Sequence, residues 1–263
     1  MPRHGIDFLD NRLAEGEATF TSDVLRRELG VSPQAASNLL ARWRRDGLVD
    51  RVTRGRYAIR QIGLLGTRAA SENVALAVAA LTGDVAHRIA YHSALDFHGL
   101  LVRPVRTIQI ASPRPFGSVQ ISGMPLRVVR ESEETVGLGS EPAGHGARVS
   151  GLERALLDAA SRPDLVGGYL PIAEALARSR PDSDRLLELA DALGASAARR
   201  RMGSIADRLA LPGLAGEIGL HAPPAFDLDL DPDLKDHHTA FRDRKWRMRW
   251  PVDPAAVAEE IGQ

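Results

Sequence analysis

Residues 21–59, TSDVLRRELGVSPQAASNLLARWRRDGLVDRVTRGRYAI, change hydrophobic period twice in a short span. Val24, Leu25 and Leu29 fall on one face at helical spacing and leave Arg26, Arg27 and Glu28 towards water, which predicts a short amphipathic helix beginning near Thr21 or Ser22 and ending at Gly30. Val31 fills the angle of the turn. Ser32 is placed to cap a second helix with Pro33 in its first turn, where a missing amide proton costs nothing. There Ala36, Leu39, Leu40 and Trp43 recur at i, i+3, i+4 and i+7 as the buried stripe, and Gln34, Ser37, Asn38, Ala41 and Arg45 face outward. Gly47 stops that helix, after which LVDRV and RYAI alternate with period two on either side of Thr53, Arg54 and Gly55, as two strands and a turn. Upstream, Ile6, Phe8, Leu9 and Leu13 predict a leading helix that covers the back of this pair. The order of elements is that of a winged helix-turn-helix.

The outward face of the second helix is small and polar at its start, as a helix entering a major groove requires. Gln34 and Asn38 suit adenine edges, Ser32 and Ser37 are short polar neighbours, and Arg42 and Arg45 suit phosphate or guanine, with Arg54 and Arg56 as phosphate contacts from the wing. Between residues 26 and 60 there are nine arginines against Glu28, Asp46 and Asp50, a local excess of +6 in a chain whose basic and acidic residues balance at 34 each. A local excess of this kind is an electrostatic footprint for double-stranded DNA. Winged helices also dock proteins, but a docking wing has no need of Arg51, Arg54 and Arg56 around one glycine turn.

Residues 61–71, QIGLLGTRAAS, show no clear period and are read as a connection, which predicts domains at 1–62 and 72–263 with a linker over 63–71. Beyond it, a helix is expected from about Glu72 to Leu81 and a short one from about Ser93. VRTIQIA, GSVQIS and PLRVVR are expected as a three-stranded meander, with turns at Ser112 to Gly117 and at Gly123. SGLERALLDAAS predicts a helix with a capping box of Ser150 and Glu153, and further helices are expected at about 169–179, 183–193 and 196–210. KWRMRW alternates as a strand. The whole reads as α+β, a winged helix-turn-helix followed by an α+β domain with a small antiparallel sheet and several helices.

The length and a hydrophobic content of 44% suffice for two packed cores. The absence of cysteine excludes disulfides, thiolate metal sites and cysteine nucleophiles. No apolar run has the length of a membrane span and MPRHGIDFLD does not read as a signal peptide, so a cytoplasmic protein without membrane partners is expected. Lys235 and Lys245 are the only lysines, an arginine bias that follows coding composition more than chemistry.

Enzymatic motifs are lacking: there is no phosphate-binding glycine loop, no GxSxG and no HExxH. Tyr91, His92, Asp96 and His98 form the one tight polar cluster, for which an ordinary helix contact is the expectation. Glu153 and Asp158 lie on different helix faces, whereas Arg154 and Asp158 have the spacing of an ion pair. Adjacent His237 and His238 diverge in any regular structure. The alternating Asp227, Asp229, Asp231 and Asp233 lack the glycine and closing glutamate of a calcium loop and are read as a solvated connector. Arg199, Arg200 and Arg201 are left open among an extension of the DNA surface, a contact for an acidic partner and a solvated helix end. No catalytic residue, cofactor or metal is implied.

The winged helix-turn-helix, then YHSALDFHGL, then the strand region, then SGLERALLDAASRPDLVGG, together resemble the AbiEi family, antitoxins of type IV toxin-antitoxin systems first met in abortive phage infection. The blocks span roughly residues 20–170, the closing KWRMRWPVD is similar to the family's last strand, and the arginine-rich form is most like actinobacterial members. The resemblance implies a non-enzymatic antitoxin that represses its own operon by binding promoter repeats. It also implies that the protein counteracts a nucleotidyltransferase-like toxin without a stable complex. Base reading is then carried by Ser32, Gln34, Ser37 and Asn38, phosphate contact by Arg42, Arg45, Arg54 and Arg56, and the antitoxic role by the second domain. The alternative is a ligand-sensing winged-helix regulator with no toxin partner.

Overall fold

The computed structural model describes residues 3–15, 17–60, 67–103, 105–121, 124–211, 214–219, 225–234 and 239–262. In chain order the first elements are α1 (Arg3–Ala14), β1 (Thr19–Thr21), α2 (Ser22–Leu29), α3 (Pro33–Arg45), β2 (Val49–Thr53), β3 (Arg56–Ile59), α4 (Thr67–Thr82), β4 (Arg88–Ile89), α5 (Tyr91–Phe97), β5 (Ile108–Ser112), β6 (Gln120–Ile121), β7 (Met124–Arg130), α6 (Glu133–Val136), β8 (Ser140–Gly144) and β9 (Ala147–Ser150). They are followed by α7 (Leu152–Ser161), α8 (Pro163–Val166), α9 (Tyr169–Arg178), α10 (Ser183–Ala192), α11 (Ser196–Arg208), α12 (Leu214–Ile218), β10 (Leu228–Asp229), β11 (Phe241–Asp243), β12 (Met248–Trp250) and α13 (Pro254–Ile261). The mixture is α+β. The chain divides into two compact units, residues 1–89, 106–136 and 142–148 in the first and 90–105, 137–141 and 149–263 in the second.

The head of the first unit follows its hydrophobic pattern. Thr21 Oγ1 accepts from Val24 N at 3.2 Å to start α2, and Gly30, left-handed at φ 62°, ends it. Ser32 Oγ accepts from Ala35 N at 3.2 Å to start α3, with Pro33 as first residue. Ser32→Ala removes this cap and is expected to lower stability by about 1 kcal/mol in denaturant unfolding. Phe8 and Leu9 of α1, Phe20, Leu25, Ala36, Leu40, Trp43, Val49 and Ile59 form one core. Phe8 stacks on Trp43 at 6.1 Å and meets Phe20 edge-on at 5.1 Å. Ile6 of the expected apolar stripe is exposed. The three-stranded sheet runs β1-β3-β2, antiparallel throughout, so β1 is a third strand that the two-strand expectation lacked.

A second sheet has the order β6-β7-β5-β4-β9-β8. The expected meander is replaced here: β7 lies parallel to β5, with Ile108 opposite Leu126 and Ser112 opposite Arg130, and β6 makes its hairpin with β7. All five residues of β5 are buried, the profile of an interior strand covered on both faces, which needs a neighbour on each edge. β8 and β9 are strands for which the sequence offers no period-two pattern; His145 and Gly146 between them have φ 53° and 85°, the sign that a type I′ hairpin turn requires. α4 begins at Thr67, earlier than the expected Glu72, and residues 61–66 of the expected linker lie outside the described residues. Arg88 is fully buried, held by both carboxylate oxygens of Glu131 at 2.7 and 2.8 Å and donating to the Val136 carbonyl at 2.9 Å.

The second unit is helical, with α7 at its centre packed against α5, α9, α10 and α11. From Glu153 to Ala160 every residue of α7 is buried. The expected capping box does not form: Gly151 occupies the cap, Ser150 Oγ donates to Asp158 Oδ2 at 3.1 Å, and Glu153 Oε1 accepts from Asp182 N at 3.0 Å. Burial explains the exchange, since a carboxylate drawn into the core needs partners there and not at the helix start. The expected Arg154–Asp158 pair is present at 2.7 Å. In a small sheet, β10-β12-β11, the strand expected over KWRMRW is confined to Met248–Trp250; Lys245–Arg247 belong to the turn before it, with Arg247 at φ 47°, and Trp246, Met248 and Trp250 are all buried.

Candidate nucleic-acid interface

On α3 the residues Gln34, Ser37, Asn38, Ala41 and Arg45 are exposed, and Ala36, Leu40 and Trp43 are buried on the opposite side. Gln34 Nε2 donates to Asn38 Oδ1 at 3.1 Å, so two candidate base readers one turn apart steady each other and still offer amide groups outward. Ser32 is exposed at the helix start, and its hydroxyl, an acceptor for Ala35 N, keeps its own proton for donation. The structure therefore brings Ser32, Gln34, Ser37, Asn38 and Arg45 to one accessible helix surface. Arg42 differs. It is half-buried at the margin of that face, with its Nε enclosed and unpartnered among the described residues.

The wing is β2 and β3 joined through Arg54 and Gly55, with Gly55 at φ 79°. Ser22 N donates to the Gly55 carbonyl at 2.8 Å and ties the turn to the start of α2. Arg51, Arg54 and Arg56 are all exposed. Arg56, however, donates through Nη1 to the Ala80 carbonyl at 2.9 Å, in the last turn of α4 where backbone acceptors lack helical partners. Arg60 forms a two-pronged pair with Asp50 at 2.8 and 2.7 Å, and that bond holds the guanidinium pKa above its ordinary value. Arg26 pairs with Asp23 at 3.2 Å. Among the described residues no hydrogen bond or ion pair engages Arg27, Arg44, Arg45 or Arg54. The +6 excess of the sequence is thus partly spent inside the fold, and Arg45 with Arg54 remains the most available pair. Arg44, absent from the expected contact set, is exposed beside them; its position after Trp43 gave no periodic signal.

The other candidate clusters are in the second unit. His98 has Nε2 2.7 Å from the Ser150 carbonyl; burial lowers the His92 pKa and raises that of Asp96. Among the described residues no group of three or more His, Asp and Glu could hold a metal ion. The aspartates are not a solvated connector: Asp227 accepts from Arg247 Nε at 2.8 Å, Asp229 from Arg249 Nη2 at 2.6 Å, and Asp231 is buried. Two alternating series on neighbouring strands neutralise each other, because β10 and β12 run parallel with Asp229 opposite Arg249. Arg199, Arg200 and Arg201 take none of the three roles left open for them, since all are buried and donate to backbone carbonyls. Arg199 reaches Ile218 at 2.9 Å, Arg200 reaches Trp246, Phe226 and Arg247, and Arg201 reaches Ala160 at 2.9 Å and Asp229 at 3.1 Å. His237 and His238 lie outside the described residues. No helix of the described residues is long and apolar enough to cross a membrane.

Residues 11–60 match the protein family described as "Transcriptional regulator, AbiEi antitoxin". The match covers β1, α2, α3, β2 and β3. No curated protein matches the chain. The fold is similar to the crystal structure of the RV2827C protein from Mycobacterium tuberculosis, at a TM-score of 0.63 and 16% identity over 100% of this chain and 96% of that one.

Proposed function

We propose, for a chain whose residues 11–60 match the AbiEi antitoxin transcriptional regulators, that the protein binds double-stranded DNA upstream of its own gene and represses its own operon. α3 enters the major groove with Gln34, Ser37 and Asn38 at the base edges and Ser32 at the near phosphate, while Arg45 and Arg54 hold the backbone. Arg42 and Arg56 act as lesser, peripheral contacts. The single observation that carries the reading is the exposed polar face of α3 lying beside an exposed arginine wing on one rigidly cored head. In its finer form, the protein is the antitoxin of a type IV system. Promoter repeats are its operator, and a nucleotidyltransferase-like toxin is counteracted through the second unit without a stable complex and without catalysis by this chain.

Fluorescence anisotropy with the DNA directly upstream of the gene, against a scrambled duplex of equal length, tests it. Wild type is expected to prefer its own promoter and to lose affinity steeply with salt. Gln34→Ala combined with Asn38→Ala removes base contacts worth roughly 1–3 kcal/mol each, so it is expected to reduce the preference by about 30-fold or more and leave scrambled-duplex binding in place. Equal affinity of the wild type for both duplexes overturns the operator reading.

A further inference from the structure

Within the first unit, β2 is the edge strand of the head sheet and β6 the edge strand of the larger sheet, and the two pack side by side. Between them and the loop that leads into β6 is a cleft of about 790 Å³, within the usual range of small-molecule sites. Arg44, Arg51, Arg54 and Arg60 line one wall, against the single carboxylate of Asp50. That carboxylate is already committed to Arg60 at 2.8 and 2.7 Å, and Arg44 and Arg54 have no hydrogen-bond or ion-pair partner among the described residues. The facing wall carries the half-buried ring of Phe116 and the hydroxyl of Ser118. A basic wall opposite an aromatic one suits a ligand with a charged end and a flat end.

We propose that this cleft is a binding site for a phosphorylated small molecule of the nucleotide class, its phosphates on the arginine wall and its base against Phe116. A duplex is too wide to enter a recess bounded by two strands and a loop, so the cleft is not itself part of a groove-binding surface. Arg54 belongs to both walls of the problem, since it is also the wing's candidate phosphate contact. Ligand and duplex therefore compete for it, and each weakens the other by the same factor. The competition rests on the DNA reading above; the site does not.

Isothermal titration calorimetry on the full-length chain, with ATP, GTP, inorganic triphosphate and adenosine as probes and no DNA present, tests the site. ATP or GTP is expected to bind saturably, triphosphate more weakly, and adenosine without detectable heat. Arg44→Ala is expected to weaken nucleotide and triphosphate by about tenfold or more, as loss of a charge-assisted bond does. Phe116→Ala is expected to bring the nucleotide down to the level of triphosphate, and Arg45→Ala, outside the cleft, to change neither. Absence of saturable binding by ATP, GTP and triphosphate at millimolar concentration overturns the site, as does binding that ignores both Arg44→Ala and Phe116→Ala. In a second arm, saturating nucleotide is expected to reduce promoter affinity. Nucleotide binding with unchanged promoter affinity overturns the competition, whereas nucleotide binding by a chain that never binds DNA upholds the site and removes the operator reading.

Discussion

Asp243→Ala is expected to destabilise the second unit by about 3 kcal/mol, because it removes a buried carboxylate that accepts from Arg208, from Ser204 and from two backbone amides, and leaves the buried donors among them unsatisfied. Asp243 is fully buried on β11. Its two oxygens accept from Arg208 at 2.7 and 3.0 Å, from Ser204 Oγ at 3.0 Å and from the backbone amides of Lys245 and Trp246 at 3.1 and 3.3 Å. Those amides belong to the turn that leads into β12, so the carboxylate fixes both the turn and its tether to α11. Asp243→Asn keeps an acceptor but not the charge, and its loss is expected to be smaller. The same site predicts an acid dependence. Burial pushes the carboxyl pKa upward, but Arg208, the Trp246 amide and Ser204 together outweigh it and leave it below the ordinary value. A depressed folded-state pKa means that the contribution is complete above the unfolded-state value of about 3.9 and is lost as pH falls through the folded value beneath it. Denaturant unfolding of wild type and Asp243→Ala at several pH values reads this directly. The difference between the two should be constant near neutrality and close below about pH 4; a difference that widens in acid contradicts the assignment.

The parts of this fold that were legible in the sequence are those fixed by neighbours along the chain. Thr21, Gly30, Ser32 and Pro33 cap and turn through bonds that span three or four residues, and Ala36, Leu40 and Trp43 share a face because of helical pitch alone. Met248 and Trp250 share a face of β12 for the equally local reason of pleat. What was not legible depends on what lies across space. Ile108 to Ser112 has a pattern compatible with any buried strand, and nothing in it states that β7 returns parallel. Glu153 satisfies the sequence form of a capping box, yet the core supplied Asp182 N as a better-placed donor. The stretch at 141–148 folds on three residues of positive φ, Gly144, His145 and Gly146, and histidine at such a position is not a turn signal that sequence alone carries.

Arginine was the residue least readable from position. Arg199, Arg200 and Arg201 look like a solvated run, but α7 and α12 end beside them with carbonyls that lack helical partners, and a five-donor fork satisfies several such acceptors at once. Arg88, Arg154 and Arg208 are taken up by buried or partly buried carboxylates in the same manner. Among the described residues, some guanidinium groups thus close backbone ends, some neutralise carboxylates, and others stay exposed, both on the head and away from it, as at Arg114 and Arg127. The exposed ones on the head bear on DNA binding, and the fold, not the count, selects them.

That selection changes which variants test DNA binding. Arg45→Ala combined with Arg54→Ala is expected to weaken promoter affinity by about 100-fold or more, since each loses a charge-assisted contact worth roughly 1.5–3 kcal/mol. The slope of log affinity against log salt should fall by about two units, and scrambled DNA should be weakened as much as the promoter, because phosphate contacts carry no sequence information. Both side chains are exposed and without hydrogen-bond or ion-pair partners among the described residues, so thermal unfolding should be unchanged. Arg56→Ala provides the contrast. Its guanidinium is tied to the Ala80 carbonyl, and its removal should cost some stability between wing and α4 while leaving the salt slope nearly intact. The reverse ranking, with Arg56 governing the slope and the Arg45 and Arg54 pair silent, would place the duplex on the far side of the wing, away from α3.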